Sequence, residues 1–107
     1  MNDYDVVIKG GRVIDPETGL DAVRNVGITG EKIAVVTEKA IQGKETIDAT
    51  GHVVCPGFID MHNHNAGYPF GQKLALRDGV TTPMELELGV YPVKEWYEGD
   101  CHTNFGL

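Results

Sequence analysis

One stretch, from Phe58 to His64, limits what this chain can fold into more than any other. Two apolar residues, Phe58 and Ile59, precede Asp60, and the histidines His62 and His64 follow with one residue between them. Alternate side chains of an extended strand share a face, so Asp60 and both histidines are expected on one side. Two imidazoles on one rigid strand can bind one cation, because neutral imidazole is a preferred ligand of zinc and related metals. The alternative is a hydrogen-bonded histidine pair at a polar strand end.

The residues before the histidines favour a buried strand. Val53 to Cys55 is a short apolar run, Pro56-Gly57 interrupts it, and a second apolar run begins at Phe58. The histidines are therefore expected at the carboxyl end of a strand. In α/β barrels the active site is built at that end of the strands.

A second strand is expected from Val80 to Leu88, after a short helix over Gly71–Asp78 that Gly79 closes. A strand, a crossover helix and a parallel strand form one βαβ unit. Within the second strand, Glu85 and Glu87 alternate with apolar residues and are expected to share a face. A carboxylate on a strand that is buried on both sides needs a partner, and a metal would provide one. The alternative is that both acids face water.

Two runs carry a family resemblance: Pro-Gly-Phe-Ile-Asp-Met-His-Asn-His from Pro56 to His64, and Asp-Gly-Val-Thr-Thr from Asp78 to Thr82. They resemble the first and second barrel strands of the metal-dependent amidohydrolase superfamily and, within it, the D-aminoacylase and N-acyl-D-glutamate deacylase branch. The resemblance implies an α/β chain in which a composite β-sandwich precedes the first βαβ unit of a TIM-like (β/α)₈ metallo-dependent hydrolase barrel. It also implies that His62 and His64 bind the catalytic metal, zinc, as one or two divalent ions.

Further site residues follow from the same resemblance. When the chains are aligned on Gly-Val-Thr-Thr, Leu88 stands where the best-known D-aminoacylases carry a metal-binding cysteine, and leucine cannot ligate; we expect Glu87 to take that role. Asp60 is expected to orient an imidazole through its other ring nitrogen, with direct ligation or a structural role as the alternatives. Tyr68 and Phe70 lie in the loop after the histidines and are expected to line the substrate pocket, or simply to pack. The general base is expected beyond Leu107.

The first half of the chain reads as short strands between turns that contain Gly and Asp. The expected strands are Tyr4–Lys9, Arg12–Ile14, Arg24–Thr29, Lys32–Thr37 and Glu45–Asp48. The Gly10-Gly11 pair predicts a tight hairpin turn. We expect an antiparallel β-sandwich or half-barrel over residues 1–55 and the start of the amidohydrolase barrel over residues 56–107.

Length limits the barrel. The chain has 107 residues, whereas a complete (β/α)₈ barrel needs about 250. We expect an N-terminal portion of a longer enzyme that is inactive alone and requires the rest of the barrel, or another chain, for completion. A homo-oligomer is a further option.

Composition excludes several classes of partner. Nine basic and 16 acidic residues give a formal charge of −7, and an acidic chain without a basic cluster argues against nucleic acid and membrane surfaces as partners. The first residues, Met1–Asp5, lack the features of a secretory signal, which predicts a cytoplasmic protein. Cys55 is expected to pack in the core. Cys101-His102 is expected to belong to a tail over residues 99–107 that does not bind metal.

The resemblance implies a zinc-dependent parent enzyme that hydrolyses an amide or related carbon–nitrogen bond other than a peptide bond, with metal-bound hydroxide as the nucleophile. Its expected substrate is a small N-acyl-D-amino acid. The nearest alternative is a cyclic amide, as in dihydroorotase, hydantoinase or deaminase-like members. The alternative of a different class is a non-catalytic β-sandwich module that uses the two histidines for packing or incidental metal.

Overall fold

Alternating apolar residues and glycine-containing turns produce three consecutive strands at the start of the chain. The computed structural model describes residues 3–98 and 101–106, and within it strand β1 spans Tyr4–Asp15, β2 Leu20–Thr29 and β3 Lys32–Thr37. Each pairs antiparallel with the next. Gly19 and Gly30 lie in the two connecting turns with φ of 73° and 58°, a conformation that glycine adopts at little cost. Both turns are as expected.

β1 is one continuous strand, so the hairpin expected at Gly10-Gly11 is wrong. The pairing of β1 with β2 shifts register between Ile8 and Gly11, which makes the glycine pair a bulge. Gly10 has a φ of 71°, and its backbone N–H donates to Asn25 Oδ1 at 2.9 Å. A side chain at Gly11 would lie 2.5 Å from a methyl group of Val54. A hairpin turn and a bulge both use left-handed glycine, and the sequence does not distinguish them.

The next two strands, β4 at Gly43–Asp48 and β5 at Val53–Val54, both pair with β1 and run parallel to it. The sheet order is β3-β2-β1-β4, and β5 pairs with a further part of β1. The expectation of purely antiparallel pairing is therefore wrong. Because β1 is twelve residues long, it pairs with β4 near its start and with β5 near its end.

One face of this sheet carries a row of apolar residues across three strands. Ile8 pairs with Val26, and Val26 pairs with Val36. Val26 is buried, whereas Val36 and Ile33 on the outer strand are 41% and 68% exposed. A partly covered apolar face is typical of one layer of a two-layer sandwich.

Asp5 links β1 to β4 and to the turn between β2 and β3. Its carboxylate accepts hydrogen bonds from Lys44 Nζ at 2.6 Å and from the Gly30 backbone N–H at 2.8 Å. The Lys44 ammonium, and then the Gly30 N–H, lower the pKa of Asp5 below its ordinary value. The ionised form is thus favoured by folding, so its contribution to stability is present above about pH 4 and is lost as the pH falls through the folded-state pKa.

Asp5→Asn is therefore expected to lower the urea midpoint of the chain at neutral pH, with the difference from wild type disappearing in acid. The measurement is urea unfolding followed by far-UV circular dichroism at about pH 7 and about pH 2, on either side of the ordinary aspartate pKa. Glu31→Gln, an exposed acid in the adjacent turn, is the matched control. A difference in midpoint that does not change with pH would contradict the assigned role of Asp5.

The predicted βαβ unit is present after Pro56. The chain divides into two units, Met1–Pro56 and Gly57–Leu107, and the second contains strand β6 at Phe58–Asp60, helix α1 at Pro69–Arg77 and strand β7 at Val80–Pro83. β6 and β7 are parallel. Gly79, with a φ of 85°, follows the helix as expected. A short helix α2 spans Val93–Trp96.

α1 begins two residues earlier than expected, since Pro69 suits the first turn of a helix. Over residues 3–98 and 101–106, no helix has both the length and the apolar character needed to cross a membrane.

β7 is shorter than the strand expected from Val80 to Leu88. The ladder ends at Pro83, and only isolated bridges continue it, from Met84 to Gly106 and from Glu85 to His62. The Leu88 backbone N–H donates to the Glu85 carboxylate at 3.3 Å instead of joining a ladder. Such a local bond between side chain and backbone competes with strand pairing. The alternation of acids and apolar residues reads as a strand, although the backbone turns there.

Candidate metal centre

The two histidines follow the carboxyl end of β6, as expected, but they are not on the strand, so the expectation that they share a strand face with Asp60 is wrong. β6 ends at Asp60, His62 forms the isolated antiparallel bridge with Glu85, and His64 lies in the turn that follows. The two rings nevertheless meet edge to face, with their centroids 5.0 Å apart and an interplanar angle of 87°. Their Nε2 atoms are 3.2 Å apart. A turn, and not strand alternation, brings the imidazoles together.

Glu87 completes a cluster with the two rings, named here the His–His–Glu cluster (His62, His64 and Glu87). Its Oε2 lies 2.6 Å from His62 Nε2 and 3.3 Å from His64 Nε2. In a tetrahedral zinc site, bond lengths of about 2.0–2.1 Å place neighbouring ligand atoms about 3.3–3.4 Å apart. Two of the three separations in the cluster are close to that range, and the shortest is that of a charge-assisted hydrogen bond. The cluster therefore fits three ligands of one cation.

The cluster is open to solvent. The side chains of His62, His64 and Glu87 are 68%, 43% and 61% exposed in the described part of the chain. Within residues 3–98 and 101–106, this is the group of His, Cys, Asp and Glu side chains able to hold a metal ion. Cys101 and His102 are exposed and do not belong to it. Gly99, Asp100 and Leu107, which the predicted tail includes, lie outside the described residues.

Glu85 lies behind the cluster and is almost fully buried, with 6% of its side chain exposed. Both carboxylate oxygens are 3.2 Å from Nδ1 of His64. Oε1 also accepts the Leu88 backbone N–H. The sequence pattern pairs Glu85 with Glu87 but predicts a ligand role only for Glu87. The signal that could have found Glu85 was the cost of burying an unpaired acid beside two histidines.

Asp60 contacts backbone and amide groups. Its Oδ1 accepts the His62 backbone N–H at 3.1 Å, and Oδ2 accepts Asn63 Nδ2 at 3.3 Å. These bonds stabilise the turn that carries the histidines. The expectation that Asp60 orients an imidazole is wrong, because the carboxylate that lies against an imidazole Nδ1 is that of Glu85. The physical reason is that the chain leaves the strand directly after Asp60, so the two histidines no longer share its face.

The aromatic residues after the histidines differ in their surroundings. Tyr68 directly precedes α1, and its ring packs edge to face on Trp96 with the centroids 4.9 Å apart. Trp96 also lies against Gly67, where a side chain would collide with the ring. Phe70, in the first turn of α1, is 74% exposed. Tyr68 therefore has a packing partner, whereas Phe70 is open, and the substrate-lining role of both stays a prediction.

The loop after His64 is held by a buried glutamine. Gln72 is 1% exposed, and its Nε2 donates to the Ala66 carbonyl oxygen at 2.8 Å. Its Oε1 accepts the backbone N–H groups of His102 at 2.7 Å and Thr103 at 3.3 Å. One side chain thus satisfies three backbone groups and joins the loop to α1 and to the segment after residue 100.

Known proteins resemble this chain over most of its length. The model of the Amidohydrolase family matches residues 45–100. An allantoinase from Salmonella choleraesuis is 34% identical over 97 residues, which cover 83% of this chain and 21% of the relative. The chain thus spans about a fifth of the length of the curated relatives it matches.

Two solved structures extend the likeness to the fold. The N-acyl-D-glutamate deacylase of Bordetella bronchiseptica, complexed with zinc and a phosphonate that mimics the tetrahedral intermediate, is 34% identical with a TM-score of 0.63, over 76% of this chain and 18% of that one. A D-aminoacylase with a binuclear metal centre, activated by one metal and attenuated by the second, is 35% identical with a TM-score of 0.66, again over 76% and 18%. The family match and both structures agree with the resemblance carried by the two barrel-strand runs. The chain therefore belongs to the amidohydrolase family, on the branch of D-aminoacylase and N-acyl-D-glutamate deacylase.

Proposed function

We propose that this chain supplies the first metal ligands of a divalent-metal-dependent hydrolase that cleaves carbon–nitrogen bonds other than peptide bonds. The observation that carries the proposal is the convergence of His62 Nε2, His64 Nε2 and Glu87 Oε2, all within 3.3 Å of one another. The position just beyond the first strand of the βαβ unit also supports it, because α/β barrels build their sites at that end. The proposed substrate class is the N-acyl-D-amino acids.

The donor set suits zinc. Two imidazole nitrogens and one carboxylate oxygen are ligands that zinc binds in catalytic sites, with a fourth position left for water or substrate. When bound, the cation supplies Lewis-acid activation of water and of the substrate carbonyl. The exposure of the His–His–Glu cluster leaves room on its open side for a substrate. Zinc as the metal, and one or two ions as its number, are part of the proposal and are supported by the zinc and the binuclear centre of the two relatives.

Each site residue of this chain has a proposed role. His62 and His64 present Nε2 to the cation, and Glu87 adds one negative charge, so a divalent ion held there keeps a net positive charge. That charge favours the approach of a carbonyl oxygen or of the carboxylate of an N-acyl amino acid. Tyr68 and Phe70 are proposed to line the approach. The general base and the remaining ligands are expected from the part of the relatives' length that this chain does not cover.

A cyclic amide is the second candidate substrate, favoured by the allantoinase that is 34% identical to this chain. Opening a cyclic amide and cleaving an acyclic N-acyl group need the same activated water, so this chain's proposed ligands serve either reaction. The cytoplasmic location stays a prediction.

The proposal is tested by zinc content. The full chain is dialysed against zinc, freed of excess metal and measured by elemental analysis, beside a His62→Ala, His64→Ala double variant. The chain has four histidines, so His52→Ala, His102→Ala removes the same number outside the cluster and is the matched control. We expect about one zinc per chain in the wild type and the control, and a loss of most of it in the cluster variant.

Two results contradict the proposal. One is that the His62→Ala, His64→Ala variant binds as much zinc as the wild type. The other is a wild-type chain that binds no zinc, which would mean that the His–His–Glu cluster does not hold a cation with the ligands it has.

A further inference from the structure

Glu85 is the charged residue most deeply buried among those the structure describes, at 5% exposed. Burial of an unpaired carboxylate is costly, so its partners explain its presence. Those partners are the ring of His64 and the backbone N–H of Leu88. Both belong to the immediate surroundings of the His–His–Glu cluster.

The contact with His64 favours one position of the proton on the imidazole ring. A neutral imidazole has one N–H donor and one acceptor nitrogen, and an ionised carboxylate can only accept. Both oxygens of Glu85 lie 3.2 Å from Nδ1, so a neutral His64 beside an ionised Glu85 would have its proton on that nitrogen. The lone pair of His64 is then at Nε2, the atom that lies 3.2 Å from His62 Nε2 and 3.3 Å from Glu87 Oε2. The proton is placed so that Nε2 is free to ligate.

The contact with Leu88 acts on the third ligand. Residues 86–88 turn away from the strand direction, and Glu87 lies in the middle of that turn. The Leu88 N–H donates to Glu85 Oε1 at 3.3 Å, so the turn is closed by the carboxylate that also holds His64. The backbone of Glu85 pairs with that of His62 in the isolated bridge. One residue thus touches all three segments of the His–His–Glu cluster.

We propose that Glu85 is a positioning residue of the metal centre: it holds His64 as the Nδ1–H tautomer and fixes the turn that presents Glu87. This inference rests on the proposed function and adds a residue to it. Glu85 would act through His64 and Glu87, which would hold the cation, and is not itself one of the three candidate ligands. Among the described residues, no carboxylate lies against Nδ1 of His62, so the tautomer effect is specific to His64.

The first test needs no metal. In the ¹⁵N-labelled, metal-free chain at about pH 8.5, about two units above the ordinary histidine pKa, two-bond ¹H–¹⁵N correlations report the tautomer of each ring. We expect His64 to be the Nδ1–H tautomer in the wild type and to show that preference less strongly in Glu85→Gln, because the amide oxygen is an uncharged, weaker acceptor and the amide N–H₂ can donate instead. The His62 pattern should be the less affected, and the exposed acid variant Glu95→Gln should match wild type. An Nε2–H tautomer of His64 in the wild type overturns the proposal, whatever the variants do.

The second test measures zinc affinity by competition with a chromophoric chelator. Loss of the hydrogen-bond partner of a metal-binding histidine typically lowers affinity 10–100-fold, and we expect a decrease of about that size in Glu85→Gln with unchanged stoichiometry. Wild-type affinity in Glu85→Gln, beside a loss of zinc in the double histidine variant, overturns the positioning role and leaves the proposed function intact. If neither the wild type nor any variant binds zinc, the proposed function fails. The tautomer measurement still decides whether Glu85 orients His64.

Discussion

Glu87→Gln should weaken zinc binding more than any other single substitution of an acid in this chain. Its Oε2 lies within 3.3 Å of both imidazole Nε2 atoms, and the amide that replaces it carries no charge and is a poor ligand. Loss of a residue that only supports a ligand lowers metal affinity about 10–100-fold. Loss of the ligand itself should therefore lower zinc affinity by more than about 100-fold. Chelator competition on the full chain measures this directly.

Stability separates this effect from damage to the fold. Glu87 is 61% exposed, so Glu87→Gln should change the free energy of unfolding by less than about 0.5 kcal/mol in the absence of metal. Glu98→Gln is a matched control, because Glu98 is 62% exposed and pairs with Lys94 on the surface. Zinc affinity that is equal in the wild type and Glu87→Gln would remove Glu87 from the ligand set and leave the two histidines.

Gln72→Leu should give the largest loss of stability in the second unit. Leucine has a similar volume but leaves three backbone groups without a partner: the Ala66 carbonyl oxygen and the N–H groups of His102 and Thr103. A buried polar group left unsatisfied costs about 1–3 kcal/mol. The bond to Ala66 is buried and the other two are partly buried, so we expect a loss of about 2 kcal/mol or more. That is a large part of the 5–15 kcal/mol that typically stabilises a domain.

Urea unfolding followed by the fluorescence of Trp96 measures this loss, since the only tryptophan of the chain lies in the second unit. Lys73→Leu, at the adjacent exposed position of α1, introduces the same side chain without removing a buried hydrogen bond and should be nearly neutral. Equal effects of the two substitutions would mean that the bonds of Gln72 contribute little. Because Ala66 follows His64 by two residues, we also expect Gln72→Leu to weaken zinc binding.

Features that depend on local sequence were predicted well. The Asp15–Gly19 and Gly30-Glu31 turns, the β3 strand and the parallel pair joined by a helix each have a pattern within a few residues. The convergence of Glu87 with His62 and His64 was also expected, from the resemblance and from the absence of a ligating side chain at Leu88. The family and the branch are confirmed.

The predictions that are wrong concern features that local sequence does not determine. The bulge at Gly10-Gly11, the parallel pairing of β4 and the early end of β7 are decided by partners distant in sequence or by a single side-chain bond to the backbone. Asp60 and Glu85 illustrate the same point at the site. Strand alternation predicts that Asp60 is the acid beside an imidazole. Because the chain turns after residue 60, the acid beside His64 is instead Glu85, twenty-one residues away in sequence.

The short sequence span of the His–His–Glu cluster has a consequence for folding kinetics. Only helix α1 and strand β7 separate His62 from Glu87, so the loop that must close to assemble the cluster is short. Contacts that are near in sequence form faster than those that require distant strands to meet. The cluster is therefore expected to assemble as soon as β7 docks beside β6, early in folding. A bound cation would then stabilise the newly formed pair of strands.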